Sequence, residues 1–190
     1  MVSFTLSIKE LESVVFGVAI DDNGRIWSTV FTERNRKNAV EALLKNLPID
    51  SSFKEENNEY TDKILDCLIS LAEGKGTISR YKLAMDTSPN YYRKVYRTLQ
   101  KVPRGKVVSY GGLAKATGSG RAARAVGNAM KKNPFPLFVP CHRVIKSDRG
   151  LGGFGGGVAL KEKILLKEGV LLKNGKVNWT SLVLPGEFKK

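Results

Sequence analysis

The sequence predicts a mixed α/β (α+β) protein of two domains, a small sheet-bearing one first and a mostly helical one after it. Three observations lead there. Two β-branched apolar runs near the N-terminus flank a tight-turn signal. The charge balance reverses near residue 80. Beyond that point apolar residues fall at helical spacing, and two short helices are separated by a glycine turn. With 190 residues there is enough chain for one good core or two small ones.

Ser13 to Ile20 and Arg25 to Phe31 read as strands. Asp21-Asp22-Asn23-Gly24 lies between them, and Asn-Gly readily takes the positive φ values of a hairpin turn. Residues 36–46 and 59–73 read as helices, the first on Val40, Leu43, Leu44 and Leu47, the second on Ile64, Cys67, Leu68 and Leu71. Asp50 to Asn58 between them is polar and loop-like, and Gly74-Lys75-Gly76 closes the second helix. Ser88-Pro89 reads as a helix start with Ser as N-cap. Tyr92, Val95, Tyr96, Leu99 and Val102 follow at helical spacing, and Pro103-Arg104-Gly105 ends the run. Ser109 caps a short helix through Ala116, Gly118 to Gly120 turns, and Arg121 to Lys132 is the next helix. Helix, short turn, helix is the spacing of a helix-turn-helix.

Pro134 to Pro140 is apolar and broken by prolines, so it reads as a buried extended segment that delivers Cys141-His142-Arg143. Gly150 to Gly157 holds six glycines in eight residues. Val158 to Glu168 is a last helix with Gly169 as its stop. Asn174-Gly175 marks a small hairpin before a basic tail. The expected domains are 1–80, 81–172 and a tail over 173–190.

Charge narrows the class of partner. Residues 1–80 carry 10 Lys+Arg and 13 Asp+Glu, a net of −3, and residues 81–190 carry 22 and 5, a net of +17. A merely solubilising lysine-rich surface predicts similar halves. The asymmetry points to a polyanion, with nucleic acid first. No apolar run is long enough to span a bilayer, and the first residues lack the pattern of a secretory leader. A cytoplasmic protein is expected. Cys67, Cys141 and His142 are too few for the usual structural zinc site, so neither metal nor cofactor is expected.

Cys67 sits on a helical apolar face and reads as a small buried hydrophobe. Cys141 is different because His142, the one imidazole of the chain, follows it. A thiolate is the soft nucleophile among side chains and needs a proton acceptor. Neighbours in sequence rarely point at each other, so a relay through water is the expected form. A carboxylate would orient the imidazole, and Glu168 is one of five acidic residues after position 80. In the second helix of the pair, Arg121, Arg124, Asn128 and Lys131 form one polar stripe, while Ala122, Val126, Ala129 and Met130 lie opposite. The small side chains around Arg124 read either as close helix packing or as a lean helix for the minor groove, about 6 Å wide. In the second reading Arg124 is the one long probe into the base stack.

These residues together resemble the O6-alkylguanine-DNA alkyltransferase family. The likeness is carried by Val107 to Ala114 with Tyr110, Ala123-Arg124-Ala125-Val126-Gly127, Asn133-Pro134, Pro140-Cys141-His142-Arg143-Val144-Ile145 and Lys167-Glu168-Gly169. It is close over roughly 90–170 and loose over 1–80.

The resemblance implies a ribonuclease-H-like α/β sheet domain followed by a winged-helix-like helix-turn-helix domain. It implies a monomer that binds double-stranded DNA through the minor groove, flips O6-alkylguanine out of the stack and moves the alkyl group irreversibly to Cys141. O6-methylguanine is the foremost substrate, and O4-methylthymine stays open. Arg124 would replace the flipped base, and Tyr110 would crowd the adjoining phosphate and contact the base. Asn133 would orient the active-site turn, while Glu168, His142 and a water would draw off the thiol proton. Ser109, Arg121, Ala123, Ala125 and Asn128 would contact DNA. The base pocket would draw on the carbonyls of Cys141 and Val144, with Met130, Pro136, Phe154, Gly155 and Gly156 around it. One departure stands out: relatives often carry Tyr and a polar residue where this chain has Phe154-Gly155. Gly155 offers only a backbone N–H to the leaving oxygen and leaves space for larger alkyl groups.

Three other readings compete. A non-catalytic lesion binder of related form lacks the nucleophilic cysteine that Cys141 supplies here. A major-groove regulator needs more base-reading side chains than Arg121, Arg124 and Asn128. A thiol hydrolase needs a His in direct contact with the thiol.

Overall fold

A computed structural model describes residues 2–77, 81–184 and 186–187. The chain is mixed α/β and falls into two compact units. The first comprises residues 1–71, 76–87 and 134–136, the second 72–75, 88–133 and 137–190.

The first unit is a four-stranded sheet in the order β3-β2-β1-β4. Its strands are β1 (Ser3–Leu11), β2 (Val14–Asp21), β3 (Ile26–Thr32) and β4 (Ser52–Glu55). The β2–β3 hairpin forms where Asn23-Gly24 predicts it, with Gly24 at φ +69°. The buried Asp21 carboxylate locks the turn by accepting from Arg25 Nε and Trp27 Nε1, both at 2.8 Å, and from the backbone N–H of Asn23 and Arg25. Burial pushes its pKa up, but these donors outweigh burial and hold it below the usual value. Helix α1 (Arg36–Leu44) sets Ala39 and Leu43 against Leu6, Ile8, Val15, Ala19 and Val30. Helix α2 (Glu59–Ala72) buries Ile64, Leu65, Leu68 and Leu71, with Cys67 only half-buried.

Strands β1 and β4 lie outside the expected elements. The polar stretch taken as a loop over 50–58 contains β4, which is exposed along its length. Backbone pairing parallel to β1, Phe4 opposite Phe53, holds it, so it leaves no apolar pattern to read. The first unit runs on through Thr87, several residues past the charge switch near residue 80, because β3 holds the segment that follows it. Ile26 N–H donates to Lys82 O and Ala84 N–H to Ile26 O, both at 2.8 Å.

The second unit carries α3 (Asn90–Leu99), α4 (Tyr110–Ala116), α5 (Ala123–Lys131) and α6 (Val158–Lys167). The cap of α3 is Pro89, one residue beyond the expected Ser88, and no side chain caps it. Ser109 does cap α4, its Oγ accepting from Gly112 N–H at 3.0 Å. Tyr96 Oη donates to Ala129 O at 3.0 Å and ties α3 to α5. A short parallel pair joins β5 (Val108–Ser109) to β6 (Val144–Ile145). The hairpin of β7 (Leu172–Lys173) and β8 (Lys176–Val177) turns at Asn174-Gly175 as expected. Within the expected tail, residues 173–183 pack onto this unit. Val177 joins the core with Val107, Ile145, Leu151, Leu165 and Val170, and Val107 bonds to Ser181 and Val183 through backbone.

Candidate active site

Residues 137–140 are buried as expected but bent instead of extended. Leu137 takes φ +73°, and Pro140 (φ −77°, ψ 65°) forms an inverse γ-turn in which Cys141 N–H donates to Val139 O at 2.7 Å. That turn opens one turn of 3-10 helix, Cys141–Arg143. Cys141 stays partly exposed while His142 and Arg143 are buried.

Glu168 follows the last residue of α6, where a carboxylate opposes the helix dipole. Two cationic or polar neighbours compensate. His142 Nε2 lies 3.0 Å from Glu168 Oε1, and Arg143 reaches the carboxylate through Nη2 at 2.6 Å and Nε at 2.9 Å. Arg143 Nη1 also donates to Val102 O at 2.7 Å. Burial pushes the Glu168 carboxyl up, but the hydrogen bonds from His142 and Arg143 win and hold it at about 2. An ionised Glu168 can only accept, so the imidazole carries its proton on Nε2. Nδ1 is then the basic nitrogen. It is buried and has no hydrogen-bonding partner among the described residues. Burial holds the His142 pKa below its usual value, so the ring is neutral at pH 7.

Burial raises the Cys141 pKa, and a hydrogen bond from Asn133 with the nearby Lys161 ammonium pulls the other way without cancelling it. The resting group is therefore the thiol, which needs a base. Asn133 also donates from Nδ2 to Val139 O at 3.0 Å, so it braces the turn before Cys141. Tyr110, the first residue of α4, is half-buried, and burial and the proximity of Cys141 raise its pKa. Its hydroxyl sits 3.4 Å from where a Cβ on Gly152 would stand, beside the glycine-rich loop.

Two residues without a role in the sequence reading join this group. Arg143 lies inside the quoted motif and proves to be the counter-ion of Glu168. Lys161, fully buried in α6, donates from Nζ to the carbonyls of Val144 and Leu151. Burial lowers its pKa to about 8. It ties β6 to the start of the glycine-rich loop and uses one lone pair of the Val144 carbonyl expected to meet the base.

The remaining expected residues distribute as follows. Arg121, Arg124, Asn128 and Lys131 are exposed along α5 and its approach, with Val126 and Ala129 buried opposite. Ala123, Ala125 and Met130 are partly covered. Phe154 and Gly156 are partly covered and Gly155 is exposed, with open space where its Cβ would be. Pro136 belongs to the first unit, where its carbonyl accepts from Thr29 Oγ1 at 2.9 Å. Among the described residues no group of three or more His, Cys, Asp or Glu is placed to hold a metal ion, and no helix is long and apolar enough to cross a membrane.

Comparison with known proteins gives the family. Residues 90–170 match the family model for the 6-O-methylguanine DNA methyltransferase DNA-binding domain. The methylated-DNA–protein-cysteine methyltransferase of Thermococcus barophilus is 38% identical over 120 residues, 63% of this chain and 66% of that protein. Its counterpart in Thermococcus kodakarensis is 37% identical over 134 residues, 70% of this chain and 71% of the relative. The chain belongs to the methylated-DNA–protein-cysteine methyltransferase family. A crystal structure of O6-methylguanine-DNA methyltransferase from Pyrococcus kodakaraensis superposes with a TM-score of 0.69 at 31% identity, covering 87% of this chain and 99% of that one.

The buried His142, Glu168 and Arg143 make the fold acid-sensitive. His142 is neutral in the folded chain but protonated in the unfolded chain below about pH 6.5. The unfolded state then binds more protons, so stability falls as pH drops below that point. Glu168, held at about 2, adds a second decline that starts below about pH 4.5. Urea midpoints measured against pH will fall in this window, and Glu168→Gln will remove the lower part of the decline.

Proposed function

We propose that this methyltransferase repairs O6-alkylguanine in duplex DNA, O6-methylguanine foremost, by flipping the base and accepting its alkyl group on Cys141 in a single turnover. The observation that carries the reading is a neutral imidazole, held by Glu168 and with its basic nitrogen unpartnered among the described residues, in the residue next to the partly exposed Cys141. His142 Nδ1 takes the Cys141 proton through a water. The sulfur attacks the alkyl carbon, the carbon–oxygen bond breaks, and its electron pair passes into the guanine, which takes up a proton. The new thioether is stable and no group nearby is suited to hydrolyse it, so the chain is consumed. Asn133 and Lys161 favour the developing thiolate, and Tyr110 stands at the base pocket. Gly155 contributes its N–H to the leaving oxygen. Its missing side chain admits larger alkyl groups, so a benzyl adduct will react at least as readily as a methyl adduct in a direct rate comparison.

Arg124, exposed at the second residue of α5, takes the space vacated in the base stack. Arg124→Ala will slow transfer from duplex DNA far more than transfer from the free base. Equal loss on both substrates removes the finger role. The function itself is tested by incubating the chain with excess duplex carrying a radiolabelled O6-methyl group. Label on the protein will plateau at one methyl per chain, and continued turnover or no transfer contradicts the proposal.

A further inference from the structure

We propose that the outer face of α3 is a second surface for the phosphate backbone of duplex DNA, beside the α4–α5 pair. This rests on reading the chain as a DNA-binding protein and extends its footprint. Arg93, Lys94, Arg97 and Lys101, with Asn90 and Thr98, line an open groove of about 340 Å³. The opposite face of α3 is spent on the core through Val95, Tyr96 and Leu99.

What marks these cations is that four of them stand together with no carboxylate among them. In the first unit Lys9, Arg25, Arg36, Lys54 and Lys63 each meet a carboxylate. None of these four does among the described residues, and Arg93 has only the side-chain oxygen of Asn90. No acidic residue occurs from Thr87 to Ser147, so no carboxylate of that stretch is available to them. Like charges gathered this way repel, and a polyanion relieves the repulsion.

The face is continuous with the helix pair. Tyr91 Oη lies 3.5 Å from Thr117 Oγ1 at the end of α4, and Lys94 Nζ lies 3.6 Å from where a Cβ on Gly118 would stand. Gly118 opens the turn into α5. From Arg93 to Arg97 the rise is about 6 Å at 1.5 Å per residue, and Lys101 follows just beyond the end of α3. One DNA strand presents a phosphate about every 3.4 Å of helix axis, so the row matches roughly three of them. An acidic protein has no such regular spacing, which favours DNA as the occupant.

The test uses the full chain and a short duplex without a lesion, so it does not depend on alkyl transfer. Affinity is measured across a salt series for the parent chain, for R97Q/K101Q, and for K37Q/K45Q, an exposed pair in the first unit with the same loss of charge. Each phosphate contact contributes about 0.9 to the log–log slope, so R97Q/K101Q will lower it by about 1.8 while the control pair leaves it unchanged. A slope unaltered by R97Q/K101Q, or lowered equally by both pairs, overturns the proposal. Unfolding midpoints close to that of the parent confirm that the variants are folded. A chain that shows the lowered slope but never accepts a methyl group refutes the repair reading and leaves this surface standing.

Discussion

Arg143→Met will destabilise the folded chain by about 3–5 kcal/mol, the range for removing one partner of a buried ion pair. The substitution strips Glu168 of its two guanidinium contacts and leaves the carboxylate buried against His142 alone. It also leaves the Val102 carbonyl without its donor. The Glu168 pKa will rise from about 2, because the remaining His142 hydrogen bond opposes burial by itself. Urea unfolding measures the stability loss. The carboxyl resonance of labelled Glu168 measures the shift. A variant as stable as the parent would mean that the pair is not the anchor of this turn.

His142→Gln will slow alkyl transfer by roughly 10²–10⁴-fold, the usual contribution of a general base. The substitution keeps a side chain able to donate to Glu168 but removes Nδ1. Its diagnostic is the pH profile. The resting Cys141 is a thiol with a raised pKa, so without the base its reaction must wait for ionisation in solution. The variant's rate will therefore climb with hydroxide above pH 8, where the parent has already levelled. A uniform loss at every pH would assign His142 a packing role only.

How much was readable depended on whether a residue's job showed in its pattern. The α4–turn–α5 unit was legible because Ser109 has cap chemistry and Gly118 takes φ +78°. Glu168 was reachable from scarcity, as one of few acids able to orient the imidazole. The role of Arg143 is not legible, since a sequence does not say which of Glu168's neighbours is buried with it. Lys161 does carry a signal in the sequence. It shares a helix face with Leu160, Ile164 and Leu165, and a lysine inside a buried stripe implies a partner. It also stands seven residues, two turns, before Glu168. In the sheet, β1 alternates Phe4, Leu6 and Ile8 inward and could have been read, whereas β4 is held by backbone alone and left no side-chain trace.

The most direct measurement is the site of the methyl group. The chain is incubated with duplex DNA containing O6-methylguanine, digested, and its two cysteine-containing peptides are weighed. The second cysteine, Cys67, is a built-in control, because it is half-buried in α2 with its pKa raised by burial. The account predicts one methyl group on Cys141 and none on Cys67, with the guanine restored. A methyl group on Cys67, or an intact lesion held by an unmodified chain, would contradict it.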